Sequence, residues 1–387
     1  MSKVQNVLIV GAGIAGCSAA IALRQNGINV KVVEKAARWE FASSGIFVYG
    51  NGLKLFDDLG VLPGMLESGF AIEDDENLYF THQGEEIVNV QYPRPAPTIP
   101  AIFGIKRAEM HRVLKARMDT LGATVHLSTS VEQVISDTSG SSVQVLLTDG
   151  KWESFDLVIG ADGLRSRVRT LIKGEMEPQY SGFGVWRSVH RRPSSLTKKI
   201  MQMGIGKRLG ILPISECKLY VFGTIAAPDK PWHDKDQWPA LMREEFKEFN
   251  GPARQFLDEL NAESEVLYTA VEEIILPLPW HSGRILLIGD AAHASTPFMG
   301  QGGAMAVMDA VILARMLTST APLEETLTEF GTQRYLMCKF VQDASRAVGQ
   351  AGANEDEEAC RRRDDSMKLN AQIKVDGFYV KLAEFLW

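Results

Sequence analysis

A short apolar run, Val7 to Val10, leads directly into Gly11-x-Gly13-x-x-Gly16 and then into an Ala-rich stretch from Cys17 to Gln25. That succession of strand, tight turn and helix narrows the choice of fold more than any other feature of the chain. The first glycine permits the turn, the second lets a pyrophosphate approach the backbone, and the third lets the helix pack on the strand. Free N–H groups and the dipole at the helix start favour anions there. Asn26-Gly27 stops the helix, and Val30 to Val33 is a second β-branched run ending in Glu34, placed to accept hydrogen bonds from ribose hydroxyls. The unit is βαβ and a parallel sheet is expected. The glycine pattern alone does not say which dinucleotide binds.

Further buried-strand signals stand at Leu157–Ile159 and Ile285–Ile288, with an amphipathic helix from Arg107 to Leu121. The block 41–100 alternates loops with short pieces, helical from Leu53 to Leu59 and a loop or edge in the Pro-rich Tyr92–Pro100. Gly182 to Ala226 is rich in β-formers and reads as antiparallel sheet, Trp238–Leu260 as helix, and Val266–Leu276 as strand. From Gly303 the pattern is helical to the end, with the charged Glu355–Asp365 as a solvated face or a break. The fold class expected is α/β: a Rossmann-like nucleotide-binding domain (residues 1–75, 101–180 and 277–320) interleaved with a β-rich substrate domain (76–100 and 181–276). A C-terminal helical segment, 321–387, follows.

Two later motifs choose the nucleotide. Asp156 to Ser166 contains Gly160-Ala161-Asp162-Gly163 directly after a strand, and Gly289-Asp290-Ala291-Ala292-His293-x-x-x-Pro297-x-x-Gly300-Gln301-Gly302 follows another. Together with the first motif, and in this order, they resemble the fingerprints of single-component FAD-dependent aromatic hydroxylases, the family of para-hydroxybenzoate, salicylate and 6-hydroxynicotinate hydroxylases. The resemblance extends to about Leu317. It implies non-covalent FAD, with NADPH or NADH as a transient reductant, and transfer of one oxygen of O2 through a flavin C4a-hydroperoxide to a small aromatic or heteroaromatic, phenolic or carboxylated substrate. No second GxGxxG follows a strand; Gly204-x-Gly206 reads as a turn or bulge. That argues against a separate NAD(P)H module.

The resemblance also implies roles. Gly11, Gly13, Ile14, Ala15, Gly16, Glu34 and Lys35 take the adenosine diphosphate half of FAD. Gly45-Ile46 is expected as a small-residue turn past the dimethylbenzene edge, and Val131 meets the adenine through its backbone. Arg107 lies beside the ribityl–phosphate chain, Asp162 and Gly163 serve the pyrophosphate and NAD(P)H, and Asp290 holds a ribityl hydroxyl. Gly300, Gln301 and Gly302 face the pyrimidine ring at a helix start, and Pro297 borders the reacting position. Arg208 and Tyr220, on either side of an expected hairpin with its turn at Pro213–Lys218, resemble a pair that recognises substrate. Each candidate also has an ordinary reading, as a cap, a surface charge or a core side chain.

Phe47, Tyr49, Met203 and Phe298 are candidate pocket walls, with Trp186, Arg187, Met201 and Leu212 beside them. Phe298 stands where urate-hydroxylating members carry an acid, which counts against urate. Tyr49 and His82 are candidates to deprotonate a phenol, and His293 reads as structural. No metal cluster, Ser-His-Asp set or paired carboxylates stand out. A net charge of −7 over 387 residues argues against nucleic acid, and no apolar run is long enough to span a membrane. The four cysteines have no paired spacing, and the start of the chain lacks a signal-peptide pattern, so a cytoplasmic monomer or homodimer is expected. Two alternatives stand: a monooxygenase of bulkier polycyclic compounds, and an inactive FAD-binding regulator.

Overall fold

The first strand, Asn6–Val10, lies in the middle of a six-stranded sheet. Its order is His281–Ser282, Ile285–Leu287, Leu157–Gly160, Asn6–Val10, Asn29–Val33, Thr124–His126. The structure, a computed structural model, describes residues 4–39, 44–136 and 141–385. Parts of the expected segments at 1–3, 40–43, 137–140 and 386–387 lie outside the described residues.

All pairings in this sheet are parallel except the short His281–Ser282 edge. Its central strands are buried on both faces and accordingly read as unbroken Val, Leu and Ile. The helices Ile14–Gln25 and Gly302–Met316 pack against each other beside it. The ends of three of its strands, at Val10, Gly160 and Leu287, therefore lead into the three glycine-containing motifs.

A seven-stranded sheet forms the second layer, in the order Val266–Glu273, Gln179–Arg191, Lys218–Ala226, Lys207–Pro213, Lys199–Met203, Glu76–Thr81, Glu86–Gln91. Its pairings are antiparallel apart from Lys199–Met203 against Glu76–Thr81. Side chains alternate between its faces. One face carries Trp186, Leu209, Ile211 and Val221, packed on Phe246, Phe249 and Phe256. The other carries Met201, Leu212, Tyr220 and Phe222, packed on Tyr49 and Ile102. The second face packs on the strands Gly45–Tyr49 and Ile102–Lys106 and bounds the site described below.

Two expectations are corrected. Gly45-Ile46 is not a turn: it opens the strand Gly45–Tyr49, paired with Ile102–Lys106, because Ile46 and Val48 find partners in Ile105 and Phe103. Trp238–Leu260 is not one helix: Asn250-Gly251-Pro252 breaks it into Trp238–Glu245, a 3-10 turn and Arg254–Asp258. Beyond Gly302–Met316 come two long helices, Leu323–Gly352 and Glu357–Ala383. The second starts after a break in the charged stretch, where Asp356 accepts a hydrogen bond from Ala359 N at 2.7 Å. It is tied to the seven-stranded sheet by reciprocal bonds between Gln372 and Gln91, at 2.9 and 3.0 Å. Among the described residues no helix is long and apolar enough to cross a membrane.

Candidate active site

Three cavities adjoin one another through shared lining residues. The first, about 260 Å³, lies over the end of the Asn6–Val10 strand and is lined by Gly11, Gly13, Glu34, Lys35, Trp39, Asp162 and Gly163 among others. The second, about 450 Å³, shares Gly13 and Gly163 with it and continues past Ile14, Ala15, Gly45, Ile46, Arg107, Asp290, Gly300 and Gly302. The third, about 370 Å³, meets the second at Phe47, Arg187, Tyr220 and Pro297.

The glycines of the first motif divide their labour. Gly11 sits at φ +102, and a Cβ there would lie 2.5 Å from Ala161 O; one on Gly16 would lie 1.9 Å from Gly11 O. Both are closed by packing, whereas Gly13 has open space beside it. Gly13 caps the Ile14–Gln25 helix with no side chain satisfying its first N–H groups. Gln301 precedes the Gly302–Met316 helix in the same uncapped way. Two helix starts thus face one groove with donors to spare.

Glu34 is partly committed to the fold: its Oε2 accepts from Ala12 N and its Oε1 from Ala36 N, each at 2.9 Å. Asp162 likewise accepts from Ser166 Oγ at 2.5 Å and Val168 N at 3.0 Å, fixing the turn into the Arg167–Lys173 helix. Asp290 is exposed within the groove; the surrounding walls strip enough water to raise its pKa, against the pull of His293 and Arg107. Gln301 faces inward instead, its Oε1 accepting from Asn51 Nδ2 at 2.8 Å. Gly300, at φ +63, leaves room for Phe47: a Cβ there would lie 1.9 Å from the ring. Val131 is buried in the core, and its neighbour Ser130 lines the first cavity in its place.

In the third cavity Arg208, Tyr220, Phe47, Tyr49, Pro297 and Phe298 come together. Arg208 and Tyr220 share one sheet face, opposite Thr224 and Leu212 respectively, with Gly210 and Phe222 between them. Arg208 is buried; its Nε donates to Thr224 Oγ1 at 3.1 Å and its guanidinium lies 4.9 Å from the Phe298 ring centre. Burial lowers it to about 10. Met203 does not line the cavity: it shares a face with Met201 and Lys199 but lies at the far end of the strand, opposite Arg208, and Met201 and Lys199 line the wall. Trp186 points to the opposite face from Arg187, so only Arg187 reaches the site. His82 is packed on Phe249 and is not part of the lining. His293 is turned away, its Nε2 2.6 Å from Asp309 Oδ2 and its ring stacked on Trp280.

Several lining residues carry no motif: Lys199, Tyr79, Tyr92, Phe222 and, from the last helix, Phe378 and Tyr379. Alternation along Lys199-Ile200-Met201 was the one signal for Lys199, since Met201 and its i−2 neighbour must share a face.

The family model described as FAD binding domain matches residues 4–335. The chain belongs to this family. The chain is similar to the aurachin C monooxygenase/isomerase of Stigmatella aurantiaca, 32% identical over 96% of both chains. It is also similar to the 2-heptyl-3-hydroxy-4(1H)-quinolone synthase of Pseudomonas aeruginosa, 31% identical over 89% of each. Among solved structures, Klebsiella pneumoniae HpxO complexed with FAD and uric acid superposes with a TM-score of 0.86, at 26% identity over 98% of this chain and 97% of that one. The family membership makes this FAD-binding chain an α/β flavoprotein monooxygenase.

Proposed function

We propose that the chain is an NAD(P)H-consuming hydroxylase of a small heteroaromatic compound, with FAD along the first two cavities and the substrate in the third. The observation that carries this reading is the continuity of the three cavities, which places a long groove with two uncapped helix starts against an aromatic, cationic chamber. The groove suits FAD: open Gly13 N–H groups for a pyrophosphate, Glu34 for a ribose, Asp290 and Arg107 beside a ribityl chain, and the Gly300–Gly302 turn for a flavin ring. Lys35 and Gly45-Ile46 line the same path, Asp162 contributes its backbone and Gln301 positions the turn from behind.

When bound, the flavin supplies electron transfer from NAD(P)H and the activation of O2. The chain itself does the rest. Pro297, Phe47, Arg187 and Tyr220, common to the second and third cavities, form the gate at which the ring to be oxygenated faces the cofactor. Phe47, Phe222 and Phe298 provide apolar walls that exclude water. Arg208, with no carboxylate in the described lining of its cavity, binds a carboxylate, phenolate or ring oxygen, and Tyr220 orients it. The last helix closes the far side. Cys17, Cys217, Cys338 and Cys360 are unpaired, which suits a reducing, cytoplasmic setting.

The test is a screen of hydroxylated and oxo heteroaromatics against the FAD-loaded protein. NAD(P)H oxidation should be stimulated by one class, with a product carrying one atom of labelled O2 per NAD(P)H consumed. Protein that fails to retain FAD, or oxidises NAD(P)H with no oxygenated product from any of them, would remove the reading.

A further inference from the structure

The third cavity contains a cation that the FAD motifs do not require. Lys199 is 3% exposed. Its Nζ lies 2.8 Å from Tyr49 Oη, and 4.7, 5.2 and 5.9 Å from the ring centres of Phe47, Tyr49 and Tyr92. Among the described residues no aspartate, glutamate, histidine or cysteine lines this cavity. Aromatic faces therefore take the place a counter-ion would normally fill, and they repay only part of the cost of burying an ammonium.

The groups facing Lys199 narrow its role. Tyr49, Tyr79, Tyr92 and Tyr379 come from four different segments, and burial pushes the pKa of each well up, so they stay protonated. Tyr220 is also raised by burial. The other basic side chains of the described lining are Arg187, Arg208 and Lys374. Burial, reinforced by Arg208, brings Lys199 itself down to about 7. Among hydroxyls and guanidinium groups, it is the buried amine of the described lining, held 2.8 Å from Tyr49 Oη and brought close to neutral pH, that can take up a proton from a bound ligand.

We propose that Lys199 is the proton acceptor of this site, taking the acidic ring proton (O–H or N–H) of the heteroaromatic substrate and holding the resulting anion beside it. The substrate O–H or N–H bond breaks and its electron pair stays on the ring, where it enriches the carbon to be oxygenated. The proton forms a new N–H bond on Nζ, converting amine to ammonium, so a neutral pair becomes an ion pair in place with no net charge entering the cavity. Tyr49 Oη donates to the free amine and accepts from the ammonium, keeping Nζ aimed in both states. The ligand class follows: a hydroxy- or oxo-heteroaromatic with one acidic ring proton. This rests on the hydroxylase reading for its substrate, but the role is testable without turnover.

The probe is 3-nitrophenol, whose phenolate is coloured, titrated into FAD-loaded protein at a pH of roughly 7.5, above the Lys199 midpoint and below that of the probe. Wild type should bind it as phenolate and release almost no proton into weakly buffered solution. Lys199→Arg keeps a charge but cannot accept a proton, so it should bind phenolate and release roughly one proton per probe. Lys199→Met should bind the probe roughly tenfold or more weakly, with unchanged FAD content, and should release roughly one proton for each probe it holds as phenolate beside Arg208. Neutral phenol bound to wild type, no binding to wild type, equal proton release by wild type and Lys199→Arg, or phenolate bound by Lys199→Met without proton release would each overturn the assignment. Phenolate binding without any oxygenated product from the screen would instead remove the hydroxylase reading and leave Lys199 as the acceptor.

Discussion

Two pairs of buried basic side chains, His293 with Arg334 and Lys199 with Arg208, are built in contrary ways. His293 and Arg334 share Asp309, whose Oδ2 is 2.6 Å from His293 Nε2 and whose Oδ1 accepts from Arg334 Nε at 2.7 Å. Asp309 Oδ2 also accepts from Gly289 N at 2.7 Å, so the cluster clamps the turn that presents Asp290 to the groove. Lys199 and Arg208, equally buried, have no carboxylate among the described lining of their cavity. Where charge is matched inside the protein its effect is spent on structure; where it is left unmatched, an anion from outside can complete it.

Cutting the matched pair should have the largest effect. Asp309→Asn would leave two cations buried without a counter-charge, and a loss of about 3–5 kcal/mol is expected in chemical denaturation. A loss below about 1 kcal/mol would mean the cluster is not the clamp described. Lys199→Met should act in the opposite direction. The folded protein holds this lysine at about 7 against 10.5 for the free side chain. Its cost is absent above the unfolded value, grows as pH falls through that interval and is constant below about 7. The variant should therefore be more stable than wild type by a few kcal/mol at neutral pH, with the advantage shrinking towards pH 10.5. A pH-independent difference would contradict the contrast.

Arg208→Met should leave FAD content and stability nearly unchanged while weakening binding of an anionic aromatic ligand by about tenfold to a hundredfold, or about 1.5–3 kcal/mol. Equal affinity by titration would take Arg208 out of the pocket. The smallest effect is on the acid side. Burial alone would raise Asp309, but His293 and Arg334 outweigh it and hold the carboxyl at about 2, below its ordinary 3.8. That stability is present above 3.8 and lost as pH falls through about 2, an amount on the order of 2 kcal/mol that Asp309→Asn should abolish. Burial would lower His293, yet Asp309 holds it well above 6.5. Its contribution is therefore full below 6.5 and disappears only as pH rises through the raised value.

The nucleotide half was legible because its chemistry is local. Gly11, Gly13 and Gly16 lie within one turn of a strand end, as do Asp162-Gly163 and Gly289-Asp290, so short spacing carries the geometry. The third cavity was only half legible. Arg208 and Tyr220 belong to one hairpin and could be paired by eye. Lys199, Tyr79 and Tyr92 meet because Lys199–Met203 pairs in parallel with the distant Glu76–Thr81, a register that no local pattern encodes. The same dependence on register explains why Met201 rather than Met203, and Arg187 rather than Trp186, faces the chamber. Gly45-Ile46 became a strand because Ile102–Lys106, far along the chain, supplied its partner.

One wall of the substrate chamber, with Val375, Phe378 and Tyr379, comes from the single helix Glu357–Ala383. None of the residues along the cofactor groove belongs to that helix. Ligand preference can thus drift through substitutions at Val375 and Phe378, positions that shape the third cavity and line neither part of the groove.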